Sequence, residues 1–424
     1  MRVLVVGGGG REHAIVDAIS RSSRVSRIFC APGNAGIASI AECVPIGTMD
    51  FAALADFAVR EAVDLTVVSM DDPLCAGITD FFEERGLRIF GTRKNAAVIE
   101  GSKAFAKELM QKYDIPTAKS VTFTDPAAAM SYLDETGYPV VLKADGLALG
   151  KGVLICEDRG AAAAGIKEIM IDKKFGDAGN TVVIEEFLTG REVSVLAFAD
   201  GLHIVTMSSA QDHKRIGDND TGPNTGGMGT FSPSPFYTDD IDRICRETIY
   251  QRTIDAMAKE GRPFKGVLFF GLMLTDDGPK VLEYNTRFGD PETQVVLPRL
   301  ENDIIDVMEA CMDGTLDRIE LKFSDRAAVC VVLASGGYPG SYEKGKIITG
   351  LESLNNEPDV YCYHAGTAFD SEGNIVTSGG RVLGICALGD DLLKARAKAY
   401  EAAGRVSFDG KYFRTDIGNA LFNG

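Results

Sequence analysis

The sequence predicts a multidomain chain, α/β at its N-terminal end and α+β beyond it, and three observations carry that reading. Its 424 residues exceed the size at which one hydrophobic core stops growing, so about two to four domains are expected. The first hundred residues alternate strand-like apolar runs with helical ones, the pattern of a parallel, doubly wound sheet. Later sections lose that strict alternation and read as smaller α+β units.

Each element follows from its local pattern. "RVLVV" is a strand, followed by a glycine turn and a helix from Arg11. Then come the strand "RIFCA", a helix from Asp50, the strand "LTVVS", a helix near Asp80 and the strand "LRIF". The helix "SKAFAKELMQKY" leads through Pro116 to a section in which the helix "DPAAAMSYLDETG" precedes "PVVLKADG", "KGVLICE", another helix and "TVVIEEFL". Beyond Arg191 lie the strand "EVSVLAFAD", a polar glycine-rich stretch over 208–230, and a long helix from about Thr238. The strands "GVLFFGLML" and "PKVLEYN" and a helix near Glu301 follow. From about Asp325 the chain resumes with "AAVCVVLASGG", short strands and the helix "DLLKARAKAYEAA". The division expected is a doubly wound domain over 1–101, a central domain from 102–122 and 193–325, an inserted domain over 123–192, and a C-terminal α+β domain over 326–424.

Composition excludes whole classes of partner. A net charge of −17 repels nucleic acid and anionic membrane, which are recognised through clustered lysine and arginine. No apolar run approaches the roughly 20 residues that span a bilayer. Nine cysteines without a CxxC pair, several of them in apolar strands, read as reduced, packed thiols. With a start that lacks a basic-then-apolar leader, they predict a cytoplasmic protein.

The turn "VVGGGGREHA" follows a strand and opens a helix, so backbone N–H groups there suit a phosphate. A tight strand-to-helix turn that needs glycine is an equal explanation. The dinucleotide fingerprint is incomplete: counted from Gly7 its sixth position is Glu12, and the next strand ends in "CAPGNAG" without a ribose-binding acid. Farther on, "VVLKADGLALGKGVLIC" sets Lys143 in an apolar strand and Lys151 in a glycine loop. The loop departs from the P-loop in spacing, in the residue after lysine and in leading to a strand, so it joins two strands and can fold over a ligand. An ammonium on a covered face needs an anion. "VVIEEFLTGREVSV" places Glu185 and Glu186 at a strand end and Glu192 on the next strand; together they suit a hinge for a base and ribose, although taken alone they read as surface acids.

"VLEYNTRFGDPET" is the most informative segment. Period-two geometry puts Glu283, Asn285 and Arg287 on one face of a strand, with Leu282 and Tyr284 on the other. A carboxylate, an amide oxygen and a guanidinium suit magnesium and phosphate or acyl phosphate. The stretch "SSAQDHKRIGDNDTGPNTGGMGTFSP" is long for a connection, and its Asp212, His213, Lys214 and Arg215 can meet anionic substrates. Four histidines without paired spacing argue against zinc.

Together Lys143, the strand-flanked "GLALGKG", "IEEFL" with Glu192, and "LEYNTR" resemble the ATP-grasp carboxylate-amine ligases. The motifs "GGREHA", "APGNAG", "EGSKAF", "KADGLALGKGV", "AQDHKR", "DTGPNTGGMG", "NTRFGDPETQ", "GGYPG", "HAGT" and "GGRVL" resemble those of the glycinamide ribonucleotide synthetase family, in that family's order and over nearly the whole chain. The resemblance implies ligation of glycine to 5-phosphoribosylamine through glycyl phosphate, with ATP converted to ADP and phosphate. It implies an ATP-grasp core, a mobile lid near 123–192, magnesium or manganese, and a monomer.

Residue by residue, it implies that Lys103 and Lys143 meet ATP phosphates, that Gly150, Lys151, Gly152 and Lys214 bind ATP, that the backbone from Glu185 and Glu186 through Phe187 to Leu188 meets adenine, and that Glu192 meets ribose. Glu283 and Asn285 would hold the metal. Arg287, Lys143 and Asp290 would be catalytic, and Gly9, Gly10, Gly33, Asn34, Asp212, Arg215 and Asp290 would bind substrate. Two departures stand out. The family usually reads Gly-Pro-Glu-x-Pro-Leu where this chain has Ser69, Met70, Asp71, Asp72, Pro73 and Leu74, and Gly271 occupies a strand where many ATP-grasp enzymes carry a second metal-binding acid.

Overall fold

The computed structural model describes residues 1–147, 152–355 and 357–419. The N-terminal alternation forms five parallel strands in the order Glu42–Cys43, Arg27–Pro32, Arg2–Gly7, Leu65–Val68, Ile89–Phe90. Their apolar runs are buried, as in a sheet covered on both faces. The order reverses beside Arg2–Gly7, and a ligand crevice is expected outside the carboxyl ends of strands at such a point. Three connections leave from that edge: Gly8 with Gly9, Gly33 with Asn34, and Ser69 with Met70. The helix near Asp80 is two short ones, Asp71–Ala76 and Ile78–Glu83, divided at Gly77, whose φ of +101° few other residues adopt.

Residues 120–186 build a separate antiparallel sheet, in the order Ser120–Phe123, Val182–Glu186, Val140–Ala144, Val153–Cys156. The central sheet runs Ile204–Thr206, Arg191–Asp200, Lys265–Thr275, Gly278–Asn285. The C-terminal sheet is led by Ala327–Ser335 and Arg381–Gly389, with Leu392–Arg405 packed against it. The stretch over 208–230, expected to be a loop, instead supplies Gln211–Asp212 and Gly229–Ser232 to this C-terminal sheet and folds Arg215–Gly217 and Thr221–Asn224 into a ribbon. Thr230 and Ser232 are buried beside Met228 and Phe231, and buried polar residues of this kind conceal the strand from a hydrophobicity reading.

One apolar cluster runs through the N-terminal, central and C-terminal units, joining Val5 and Ile15 to Val295, Ile305, Cys330 and Cys386. The 120–186 unit has a core of its own around Leu142, Ile166 and Ile184. All nine cysteines are free thiols. Among the described residues no helix is long and apolar enough to cross a membrane.

Candidate active site

The strand Gly278–Asn285 carries the expected acid and amide. Asn285 Oδ1 accepts from Arg287 Nη2 at 3.2 Å, and Arg287 Nη1 donates to the Phe288 carbonyl at 3.1 Å. Asn285 and Arg287 thus meet, and Arg287 acts on Glu283 through its charge, but the strand ends at Asn285, so Arg287 lies beyond it and not on its face. The register shifts after Gly271, which pairs with Glu283 while Leu272 pairs with Val281. Leu282 is the extra residue of this bulge, and a bulge turns the following side chains to the opposite face. Leu282 therefore packs with Ala118, Leu188 and Met273, and Tyr284 alone enters the core. This small apolar set, which includes Leu188, offers a surface suited to a flat base.

Three ammonium groups face this strand. Lys214 lies 2.9 Å from Glu192 and 3.6 Å from Glu283; attraction to Glu192 is the main reason its pKa rises, with Glu283 adding to it against burial. Lys103, in the first turn of Lys103–Lys112, donates to the Gly146 carbonyl at 2.8 Å. Burial lowers its pKa, opposed by Glu283 and helped by Lys143. Lys143 donates to the Leu282 carbonyl at 3.0 Å and sits 3.0 Å from Glu185. Burial opposes ionisation of Glu283, yet Lys214, Lys143, Lys103 and Arg287 together hold its pKa below the ordinary value.

A metal can be tested against these donors. Glu283 is ionised and Asn285 keeps a lone pair beyond its bond to Arg287. No group of three or more His, Cys, Asp or Glu side chains gathers among the described residues. One carboxylate plus one amide oxygen is too few for calcium or zinc, but it fits magnesium, which uses one or two carboxylates and completes its shell with phosphates and water.

The second half of the site lies at the carboxyl edge of the N-terminal sheet. Asp290 accepts from Arg381 Nη2 at 2.8 Å and from Gln294 Nε2 at 2.6 Å. Burial would raise its pKa, but Arg381, then Arg11, keep it below the ordinary carboxylate range. A Cβ added at Gly10 would stand 2.7 Å from Gln294 Nε2 and 3.7 Å from Asp290 Oδ1, so the glycine turn is pressed against this acid. Arg11 donates to the Phe288 carbonyl at 2.9 Å, the same oxygen that Arg287 contacts. That carbonyl joins the two halves. Asp212 lies near Glu292, Lys214 and Arg381; burial, then Glu292, raises its pKa well above the usual range.

Several expected residues are committed elsewhere. The Gly9 N–H donates to Glu12 Oε2 at 2.8 Å, so it is not open to a phosphate in this conformation. Asn34 uses both ends of its amide in the fold, donating to the Gly8 and His364 carbonyls and accepting from the N–H groups of Gly36 and Ile37. Arg215 donates to the Gly222 carbonyl within its ribbon. The Glu185 carboxylate is only 3% exposed and lies between Lys107 and Lys143, which leaves its backbone and not its side chain for a base. Gly152 is buried and accepts from the Ala144 N–H at 2.8 Å. Gly150 and Lys151 lie outside the described residues. Gly33 has φ of +73°, and a Cβ there would meet Cys43 Sγ at 2.4 Å.

Arg11, Glu100, Lys107, Glu292 and Arg381 were not anticipated. Arg11 follows the glycine turn directly, and a charged residue at that point of a buried helix was a signal open to reading. The others have partners remote in sequence.

The family models that match are described as phosphoribosylglycinamide synthetase N domain over residues 1–100, ATP-grasp (A) domain over 101–293 and C domain over 328–420. A phosphoribosylamine-glycine ligase of Caldanaerobacter subterraneus is 50% identical, covering 98% of this chain and 99% of that protein. One from Halalkalibacterium halodurans is 48% identical, over 99% and 97%. The crystal structure of the Thermotoga maritima phosphoribosylamine-glycine ligase superposes with a TM-score of 0.85 at 35% identity, covering 98% of this chain and all of that one. A Hydrogenobacter thermophilus biotin carboxylase domain, solved with MgADP, shares the fold at a TM-score of 0.74 and 15% identity, over 97% and 91%. With a bipartite site of this geometry and family matches along almost its full length, the chain belongs to the phosphoribosylglycinamide synthetase, or phosphoribosylamine-glycine ligase, family of ATP-grasp enzymes.

Proposed function

We propose that the chain joins glycine to 5-phosphoribosylamine in purine biosynthesis, giving glycinamide ribonucleotide, ADP and phosphate. The observation that carries this is the meeting of two half-sites at the Phe288 carbonyl. One is a lysine-rich cleft with an apolar surface, suited to a nucleoside triphosphate; the other is a glycine-turn crevice closed by Asp290, Arg11 and Arg381, suited to a phosphorylated sugar and a small zwitterion.

A carboxylate is a poor acyl donor because its charge is delocalised. Attack of a glycine carboxylate oxygen on the γ-phosphorus, with cleavage of the β–γ bridge, yields glycyl phosphate and ADP. Attack of the phosphoribosylamine nitrogen on its carbonyl carbon then expels phosphate and releases a proton. Phosphoryl transfer rests on positioning and charge neutralisation. Lys103, Lys143 and Lys214 supply charge along the phosphates, Glu192 holds ribose, and the backbone from Glu185 to Leu188 borders adenine. Arg287 lies where charge grows on the acyl phosphate, and Asp290 with Asp212 orients the substrate crevice. Glu283 and Asn285 would hold magnesium, or manganese in its place, which neutralises phosphate charge when bound. Every group named comes from one chain, so a monomer suffices; free thiols suit the reducing cytoplasm.

The test is ADP release by the purified protein with magnesium and ATP, with glycine and freshly generated phosphoribosylamine supplied together and then omitted in turn. Release that requires both, with phosphate and amide product in equal yield, is expected. Activity with a different acid or amine, and none with this pair, would keep the ATP-grasp chemistry and overturn the substrates.

A further inference from the structure

Lys107 is a lysine that the proposed reaction does not use, yet it is only 3% exposed. It lies one helical turn past Lys103 on Lys103–Lys112 and points beneath the nucleotide cleft. Its ammonium is 3.0 Å from Glu185 Oε2, and it donates to Thr117 Oγ1 at 2.7 Å and to the Ala118 carbonyl at 3.2 Å. The other Glu185 oxygen, Oε1, is 3.0 Å from Lys143 but accepts no aligned hydrogen bond. Lys143 spends its aligned donor on the Leu282 carbonyl instead. One buried carboxylate is thus shared by two ammonium groups, each 3.0 Å from one of its oxygens.

We propose that Lys107 is a positioning residue of the nucleotide site: it neutralises Glu185, so that the charge of Lys143 stays available to the phosphates. The inference rests on the reading of Lys143 as a phosphate ligand. Two ammonium groups and one carboxylate leave a single positive charge, and Lys143 is the member nearest Lys103 and the cleft. Without Lys107, Glu185 and Lys143 form a neutral pair, because an unpaired carboxylate in a weakly screened interior captures the nearest cation. The ammonium then turns from the cleft, and attraction for a triphosphate falls. Burial, opposed by Glu185 and helped by Lys143, brings the pKa of Lys107 down to about 8. The charged groups that face it are Glu185 and Glu186 on Val182–Glu186 and Lys143 on Val140–Ala144. Loss of its proton above pH 8 has the same consequence as its removal.

A compensation experiment separates this role from simple support of the fold. Binding of a non-hydrolysable ATP analogue with magnesium is measured by calorimetry for Lys107→Met, Glu185→Gln, the double variant and Lys143→Met. Lys107→Met is expected to weaken binding about tenfold, the order of one close charge interaction in a partly screened site. Adding Glu185→Gln should recover most of that loss, because nothing then captures Lys143. A double variant as weak as Lys107→Met, or weaker, overturns the inference. Lys143→Met with unchanged affinity would instead overturn the phosphate reading beneath it. If Lys107→Met does not fold, the unaltered protein serves: affinity should step down near pH 8, and that step should vanish in Glu185→Gln. A step that persists in Glu185→Gln removes the role assigned to Lys107.

Discussion

Arg287 has the most to lose from truncation. Its Nη1 and Nη2 groups are held by the Phe288 carbonyl and the Asn285 amide oxygen, its Nε is buried without a hydrogen-bond partner, and Glu100 Oε1 lies 3.6 Å away. A guanidinium fixed in this way is preorganised for charge that develops on a neighbouring group. Arg287→Ala is expected to lower kcat about 10²- to 10³-fold, the usual cost of one preorganised donor, while ATP affinity changes less than about threefold. Single-turnover kinetics beside equilibrium binding would check this; equal losses in both would remove the acyl-phosphate role. Ser69 offers a contrasting case. It is fully buried and donates to Glu12 Oε1 at 2.7 Å, and Glu12 in turn braces Gly9 and Arg11. The departure from the family's glycine therefore acts on the glycine turn and not on substrate directly. Ser69→Gly should cost about 1 kcal/mol of stability, the net worth of one hydrogen bond, and leave KM for phosphoribosylamine within about twofold; denaturant titration with steady-state kinetics would show it.

At the scale of elements, one contact of the 120–186 unit with its surroundings is made at a helix start. Ser102 caps Lys103–Lys112 by accepting from the Phe105 N–H, and Asp145, at the end of the strand that carries Lys143, accepts from Ser102 Oγ and the Ala104 N–H, each at 3.0 Å. A carboxylate there satisfies an orphan donor and meets the positive end of the helix dipole. Asp145→Ala is expected to cost about 1–2 kcal/mol at this junction, seen as faster hydrogen exchange at Ala104 and Phe105 with slower exchange elsewhere unchanged. Exchange that rises across the whole 120–186 unit would show that Asp145 holds that unit together and not the junction. Elements of this kind also show where the sequence is informative. Parallel strands, the hairpin with Lys143 and the Glu283 and Asn285 pair were legible because period and spacing are local. The bulge at Leu282 was not, because a single inserted residue leaves composition unchanged. Lys107 reads as a surface position on an amphipathic helix, and only the return of Glu185 on a later strand makes it interior. Asp290 and Arg381 meet through a C-terminal sheet that borrows two strands from the glycine-rich stretch, a pairing that no local pattern specifies.

At the scale of the whole molecule, buried imidazoles make contacts across the fold that are tolerated only when the rings are neutral. His13 Nδ1 accepts from the His364 N–H at 2.8 Å where the first helix meets the C-terminal sheet. Burial, then the neighbouring His364, lowers the pKa of His13 to about 3, and burial lowers that of His364 to about 4. His213 accepts from the Gly418 N–H at 3.3 Å; burial, then Arg414, brings it to about 4 against the pull of Asp220 and Asp416. An unfolded histidine titrates near pH 6.5. Between about 6.5 and 4 the unfolded chain therefore binds protons that the folded chain does not. Stability contributed by neutral burial is fully present above pH 6.5, falls through that window and is lost once pH passes below the folded values. Three such groups give a slope of at most about 4 kcal/mol per pH unit, partly offset where a buried carboxyl with a raised pKa, such as Asp212, takes up its proton in the folded chain first. Urea midpoints at pH 7, 6 and 5 should decline steadily, and His13→Gln should flatten the decline by roughly a third if the three contribute equally. A midpoint constant from pH 7 to 5 would mean that water or local opening reaches these imidazoles, and that the interface between the first and last domains is looser than its shared apolar core suggests.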